Sequence, residues 1–278
     1  MKNDHSKNSC TPGTVAALDH DQCSISGVRV DSLDQARLFA AVDSFIDSHR
    51  LATVMYANVH VLNTACRDSR LRAILNASDI VYCDGAGVVA GARLLGKRLS
   101  GRMTGADWIY PFCSLCRTSG KKVFILAGSE GVADQAAQQL RRQFPGISIV
   151  GTHHGYLSEP STSARAVRLI NEAQPDIVFV GMGTPVQERW TQENRSSLDA
   201  PVVWAVGALF DFVAGIQPRG PRWMLDNGLE WLCRFASDPR RLWRRYLLGN
   251  PLFMMRVASQ VLDAMQTRRG PQPAAAHQ

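Results

Sequence analysis

Six short β-branched runs alternate with helix-like segments along this chain, and that alternation constrains its fold more than any other feature. The runs are Ala52–Tyr56, Ile80–Cys83, Lys122–Ala127, Ile147–Thr152, Ile177–Gly181 and Val202–Val206. Strands that alternate with helices predict an α/β fold with a mostly parallel sheet flanked by helices. Several runs lead directly into Gly, Asp or Asn. Ligands of open α/β sheets bind off the carboxyl ends of the strands. Those ends here carry Asn58, Asp84, Gly128-Ser129, Gly181–Gln187 and Gly207–Asp211. They are expected to share one edge of the sheet and form one site.

The chain has 278 residues, 45% hydrophobic and 20% charged, enough for one large core. No apolar run reaches ~18 residues, so no transmembrane helix is expected. Met1–Asp21 lacks an apolar segment behind a basic start and does not read as a secretory signal. Residues 1–22 and 267–278 read as disordered tails around a core over 23–218 and a helical appendage over 219–266. Seven cysteines at irregular spacing fit a reduced, cytoplasmic protein. Cys113 and Cys116 have redox or zinc spacing, but no second Cys/His pair completes a zinc site, and two small residues on a helix explain them.

The net charge of +7 is concentrated near the end. Residues 219–269 hold ten arginines and no lysine against Asp226, Glu230, Asp238 and Asp263, a net +6. The partner of this region should be anionic: nucleic acid, anionic lipid or pyrophosphate. Ser237-Asp238-Pro239 starts a helix, Gly249-Asn250-Pro251 stops it, and a second helix is expected over Pro251–Gln266. At ~100° per residue Arg240, Arg241, Arg244 and Arg245 fall on one side. Leu242, Trp243, Tyr246 and Leu247 fall on the other. Nucleic-acid surfaces set aromatic platforms among their basic residues. Here the aromatics oppose the arginines, as in an interfacial helix on an anionic membrane. A chain ending near Pro218 is expected to stay folded but to lose membrane association and activity.

Asp84 is the sharpest candidate for chemistry. It closes the run Ile80–Cys83 and precedes Gly85-Ala86-Gly87. A carboxylate there could take a hydroxyl proton as a general base, or could cap the next helix. Gly85-x-Gly87-x-x-Ala90 also matches a dinucleotide fingerprint, which requires a second strand ending in an acid about 20 residues on. Asp107 has that distance, but Lys97–Asp107 is a basic, Gly-containing loop, so an NAD-dependent oxidoreductase stays only an alternative. Arg102 in that loop suits a diphosphate, because a guanidinium binds bidentately and keeps its proton. The one Asp-x-Asp triplet, Asp19-His20-Asp21, sits in the first tail, so no metal is expected. Arginine, or a helix N-terminus such as the one after Gly128-Ser129-Glu130-Gly131, would replace it. Gln187 and Asp211 are further strand-end groups that could bind a sugar or a uracil edge, or could serve as caps.

These segments, in order, resemble the WecG/TagA/CpsF glycosyltransferases, family 26. The matching stretches are Ala57-Asn58, Asp79–Gly85, Arg102–Asp107, Gly151–Tyr156, Gly181–Glu188, Gly207–Asp211, and Pro221-Arg-Trp-Met224 through Asn250-Pro251. The resemblance covers about 28 to 262. It implies a Rossmann-like core of the GT-E type and metal-independent, inverting transfer from a UDP-sugar donor. The implied acceptor is an undecaprenyl-diphosphate-linked saccharide for surface or exopolysaccharide synthesis. It further implies Asp84 as base, Arg102 at the diphosphate, and Asn58, Tyr156, Gln187 and Asp211 around the substrate; Gly128, from its place before a helix N-terminus, and Tyr56, beside Asn58, are expected there too. Arg234, Arg241, Arg244 and Arg245 are implied at the acceptor phosphates and membrane. The implied place is the cytoplasmic face of the inner membrane, with no cofactor and no nucleic-acid partner; a homo-oligomer is left open. Tyr56-Ala57-Asn58 departs from the Thr-x-Asn of many members, so their sugar identities do not carry over.

Overall fold

The computed structural model describes residues 21–217, 220, 221, 223, 224 and 230–268. The tails over 1–20 and 269–278, together with Arg219, Arg222 and Asp226, lie outside them, as does the side chain of Arg241. Among the described residues eight strands form one sheet: β1 Gln22–Ile25, β2 Val28–Asp31, β3 Ala52–Ala57, β4 Ile80–Cys83, β5 Lys122–Ala127, β6 Ser148–His153, β7 Ile177–Gly181 and β8 Val202–Ala205. Their order is β1-β2-β4-β3-β8-β7-β5-β6, antiparallel only between β1 and β2. The six expected strands are present, with single-residue changes at some ends. The β1–β2 hairpin is an addition. Ser26 and Gly27 both have positive φ at its tight turn, which matches the twist of paired strands. The first strand therefore begins inside the segment read as a tail.

Every residue of β3, β4, β7 and β8 is buried. Strands covered by helices on both faces need apolar residues on both sides, which is why they read as continuous apolar runs. The helices are α1 Gln35–Asp47, α2 Val59–Ala65, α3 Ser69–Ala77, α4 Ala86–Leu94, α5 Gly105–Ser119, α6 Val132–Gln143, α7 Pro160–Ala173, α8 Val186–Asn194, α9 Leu209–Val213, α10 Glu230–Ser237, α11 Pro239–Trp243 and α12 Gly249–Arg268. Cys113 and Cys116 sit buried on α5, as the reading of two small helix residues has it. Trp108 on α5 stacks on Trp204 of β8, with ring centroids 4.3 Å apart. Such a pair adds ~0.5–1.5 kcal/mol beyond burial, and it anchors the first turn of α5 beneath the sheet edge.

The C-terminal segment departs from three of the expectations. Gly249-Asn250-Pro251 does not stop the helix. A π turn over Arg244–Leu248 joins α11 to α12, and the chain stays helical through the proline. Proline lacks the donor for the preceding turn and crowds its carbonyl, and a widened turn accommodates both. That turn also breaks the two-faced pattern: Tyr246 is buried, whereas Trp243, Leu247 and Leu248 join Arg244 outside. The appendage is also no loose attachment. Phe253 and Val257 of α12 are buried in the main core, and Phe253 lies where a Cβ on Gly91 would be 2.8 Å from its ring. Asn63 of α2 donates to Gly249 O at 2.7 Å and accepts from Arg256 Nη1 at 2.7 Å. A chain ending near Pro218 would uncover this apolar seam, so the packing does not support the expectation that it stays folded.

Candidate active site

Asp84 follows β4 directly, and its backbone N–H donates to Ala57 O at 2.8 Å, extending the β3–β4 pairing to the sheet edge. The cap position of α4 falls on Gly85, at φ +108°, one residue past the carboxylate. Asn58 follows β3 and caps α2 by accepting from Val61 N at 3.0 Å. Its amide nitrogen donates to Asp84 Oδ2 at 3.3 Å. Met103 N donates to Cys83 O at 2.9 Å, so the 97–104 loop folds back over the strand end as expected and brings Arg102 to the same place.

Two cavities meet at Asp84. The larger, about 370 Å³, is lined by Asn58, His60, Asp84, Arg102, Arg234 and Arg245, among others. Apolar side chains, among them Ala86, Ala90, Trp231, Phe253 and Met254, line the same cavity. The smaller, about 180 Å³, lies against the carboxyl ends of β3, β7 and β8 and is lined by Tyr56, Gly183, Thr184, Gly207 and Phe212, among others. Asn58, His60, Asp84, Arg234 and Arg245 line both. Asp84 is the only carboxylate lining either cavity among the described residues.

The cations are held by aromatic rings. Arg234 lies over Phe212 at 4.5 Å and Arg245 over Tyr246 at 5.5 Å. Arg245 Nε is buried without a hydrogen-bond partner among the described residues. A buried guanidinium N–H without an acceptor marks a place for an anionic oxygen or a water. Arg102 also borders a third, smaller cavity beside Asp34 and Asp107. Arg244 instead points outward over Trp243.

A buried polar network backs the smaller cavity. Gln187 is fully buried; its amide nitrogen donates to Tyr56 Oη at 3.2 Å and to Glu188 Oε1 at 2.9 Å. Its oxygen accepts from Gly207 N at 2.9 Å. Burial, with the Glu188 carboxylate adding to it, pushes the Tyr56 phenol up to about 12. Burial also raises the Glu188 carboxyl, against the lowering bonds from Gln187 and Thr184. Gly207, at φ +58°, leaves the room that Tyr56 Oη occupies, since a Cβ there would be 2.6 Å from that oxygen.

The structure thus gathers Tyr56, Asn58, Asp84, Arg102, Arg234 and Arg245. Gln187 stands behind the cavity wall, with all its amide groups engaged. Gly128, Tyr156 and Asp211 do not line the two cavities. Gly128 accepts from Gly155 N at 2.8 Å and donates to Gly181 O at 3.1 Å, knitting together the ends of β5, β6 and β7. Tyr156 beside it is 72% exposed, and Asp211 lies in the first turn of α9. The Gly85-x-Gly87 helix leads into a loop and α5 rather than a second strand, so the dinucleotide fingerprint is incomplete. Sequence reasoning missed His60, which lines both cavities. Burial, and then the Arg245 cation, lowers its imidazole from 6.5 to about 4, so it is uncharged near neutral pH. Its place two residues past the strand-end Asn58 is the feature that could have found it.

Residues 23–267 match the glycosyl transferase WecG/TagA/CpsF family. An N-acetylglucosaminyldiphosphoundecaprenol N-acetyl-beta-D-mannosaminyltransferase of Bacillus spizizenii is 30% identical over 204 residues, 73% of this chain and 78% of that protein. A Staphylococcus aureus (strain MW2) protein of the same name is 28% identical over 237 residues, 84% of this chain and 91% of its own.

Proposed function

The chain belongs to the WecG/TagA/CpsF glycosyltransferase family, and we propose that it moves a hexosyl group from a UDP-sugar onto a saccharide carried by a polyprenyl diphosphate. The observation that carries this reading is the placing of one carboxylate, Asp84, on a wall shared by two cavities that arginines also line. In the proposed step the acceptor hydroxyl gives its proton to Asp84, its oxygen bonds to the anomeric carbon, and the bond to the UDP oxygen breaks. One carboxylate suits a single displacement, which inverts the anomeric centre; a double displacement would need a nucleophile besides the base.

Negative charge grows on the departing diphosphate, and oriented cations at that place supply a large share of the rate. Arg102, Arg234 and Arg245 are the groups assigned to the donor and acceptor diphosphates, which is the sense in which the reaction needs no metal. Tyr56 and Asn58 are assigned to the substrate, with Gln187 acting through Tyr56 and Gly207, while Gly128, Tyr156 and Asp211, outside both cavities, would reach only a part of the substrate that extends beyond them.

An acceptor that joins a charged diphosphate to a lipid accounts for the larger cavity, which both arginines and apolar side chains line. Leu247, Leu248 and Met255, beside the lining residues Tyr246 and Met254 in the chain, are exposed with Arg240 and Arg244, a surface that fits an anionic leaflet. No helix of the described residues is long and apolar enough to cross a membrane. On the strength of that exposed surface we assign the enzyme to the cytoplasmic face of the inner membrane as a peripheral protein. The relatives' names support a diphosphoundecaprenol acceptor, while Tyr56 in the smaller cavity leaves the donor sugar to experiment. The test is UDP release over a panel of UDP-sugars with a synthetic prenyl-diphosphate saccharide, with and without a chelator. UDP release with at least one donor, dependent on acceptor and indifferent to chelator, is expected. No release with any donor would overturn the reading, and loss on chelation would overturn its metal-independent part.

A further inference from the structure

His60 takes no part in the step described above, yet it lines both cavities with Asp84. It stands in the first turn of α2, two residues past Asn58, whose amide contacts Asp84. Its backbone carbonyl accepts from Thr64 Oγ1 at 2.8 Å, but its ring makes no hydrogen bond among the described residues. A partly buried imidazole without an internal partner, facing space, is available to a ligand.

We propose that His60 reads the acceptor: its imidazole hydrogen-bonds a hydroxyl of the acceptor sugar where the two cavities meet, beside the hydroxyl that Asp84 deprotonates. This rests on the glycosyl transfer proposed above and adds to it a residue that positions one of the two substrates.

Three observations favour the acceptor over the donor. The helix that carries His60 is tied to the C-terminal helix through Asn63, which bonds Gly249 and Arg256, so its first turn faces the larger cavity's amphipathic slot. The parts of the smaller cavity that are not shared are Tyr56 of β3, the turns after β7 and β8, the start of α5 and residues of α9, with no contribution from α12. A lipid-borne saccharide whose prenyl chain lies against Met254 and Phe253 shares that cavity with His60 and Asp84, and the turns after β7 and β8 do not line it. The protonation state agrees with the chemistry. An uncharged imidazole offers one donor and one acceptor, the pair that a hydroxyl complements, whereas an imidazolium only donates. The charged groups around it are Asp84 after β4, Arg102 in the following loop, Arg234 on α10 and Arg245 in the π turn. Diphosphate oxygens go to the guanidiniums, which leaves the imidazole for a neutral hydroxyl.

The test uses the full chain, a UDP-sugar that the wild type accepts, and a synthetic prenyl-diphosphate saccharide. His60→Ala is expected to raise the acceptor KM and lower kcat, so that kcat/KM for the acceptor falls roughly tenfold or more, the loss expected from one hydrogen bond of about 1.4 kcal/mol. The donor KM and the affinity for UDP, read by calorimetry, should stay within about twofold. His60→Gln keeps an uncharged donor and acceptor at similar reach and should recover most of the loss. An acceptor kcat/KM for His60→Ala within twofold of wild type overturns the inference. So does a matching rise in donor KM, or a His60→Gln variant no better than His60→Ala. Thermal melting with UDP confirms that each variant is folded. A wild type that transfers to no acceptor would instead count against the glycosyl transfer itself.

Discussion

Asn58 donates its amide N–H to Asp84 Oδ2 at 3.3 Å while its carbonyl oxygen accepts from Val61 N at 3.0 Å. Because the helix N-terminus claims the oxygen, the NH₂ group must face the carboxylate, and one side chain fixes both the start of α2 and the rotamer of Asp84. Asn58→Ala should therefore cost about 1 kcal/mol of stability from the lost cap and a further drop in turnover. Asn58→Asp separates the two roles. It can still cap, but it sets a second carboxylate beside Asp84, and like charges at that distance raise a carboxyl's pKa. Urea melts should place Asn58→Asp near wild type, while the acid limb of its kcat/KM profile moves to higher pH. An unmoved limb would remove the coupling between the two residues.

Asp84→Asn keeps the shape of the side chain and an oxygen for Asn58 but cannot accept a proton from the attacking hydroxyl. Turnover should fall by at least ~10², the low end of what a positioned base contributes. Affinity for UDP should change little, because the diphosphate is assigned to the arginines. Near-normal turnover would mean that the base lies elsewhere.

Gly207 has no room for a side chain: its φ is +58° and a Cβ would meet Tyr56 Oη at 2.6 Å. Gly207→Ala should lose on the order of 2 kcal/mol or more from backbone strain and overpacking together. Tyr56→Phe alone should lose about 1 kcal/mol, because Gln187 then keeps one partner fewer. In the double variant the clash is relieved, so its loss should be smaller than the sum of the singles, by urea unfolding. Strict additivity would show that the two residues do not press on each other.

The sheet could be read in the sequence because its central strands are buried on both faces and appear as unbroken apolar runs. The β1–β2 hairpin could not, since each strand has four residues and alternates in a polar stretch. Asp84 and Arg102 were legible because a strand end and the loop that returns to it are local features. Gln187 was legible as a strand-end amide, but which way it faces depends on Tyr56, 131 positions away in the chain. The arginine helix misled because a projection at ~100° per residue assumes ideal α geometry throughout, whereas a π turn runs over Arg244–Leu248, in which Tyr246 is buried and Leu247 exposed.

His60 also gives stability a pH dependence whose sign follows from its shift. Burial and Arg245 hold it at about 4 in the native protein, below its ordinary 6.5. Between those values the unfolded chain binds a proton that the native state refuses, so stability falls as pH drops from 6.5 toward 4 and is unaffected above that window. His60→Gln removes this group. The stability difference between variant and wild type, by urea melts at pH 7.5 and 5, should shift in favour of the variant at pH 5. Parallel profiles would mean that the imidazole is not held uncharged.

The outward face of the C-terminal segment is the remaining test of where the enzyme works. Leu247 and Leu248 are about half exposed in the π turn, next to exposed Trp243 and Arg244, and neither leucine lines a cavity. A double Leu247→Asp, Leu248→Asp change therefore leaves the core packing of Tyr246 and Phe253 in place. It replaces two apolar anchors, each worth ~1.5–3 kcal/mol when fully buried, with carboxylates that an anionic leaflet repels. Flotation with vesicles containing phosphatidylglycerol should show the wild type bound, and less so at high salt, because the arginine contribution is screened. The variant should remain in solution, with loss of turnover on vesicle-borne acceptor but not on a short, water-soluble one. Equal flotation of the two proteins would remove the π-turn face as the membrane contact, and equal loss on both acceptors would show that the change reached the site itself.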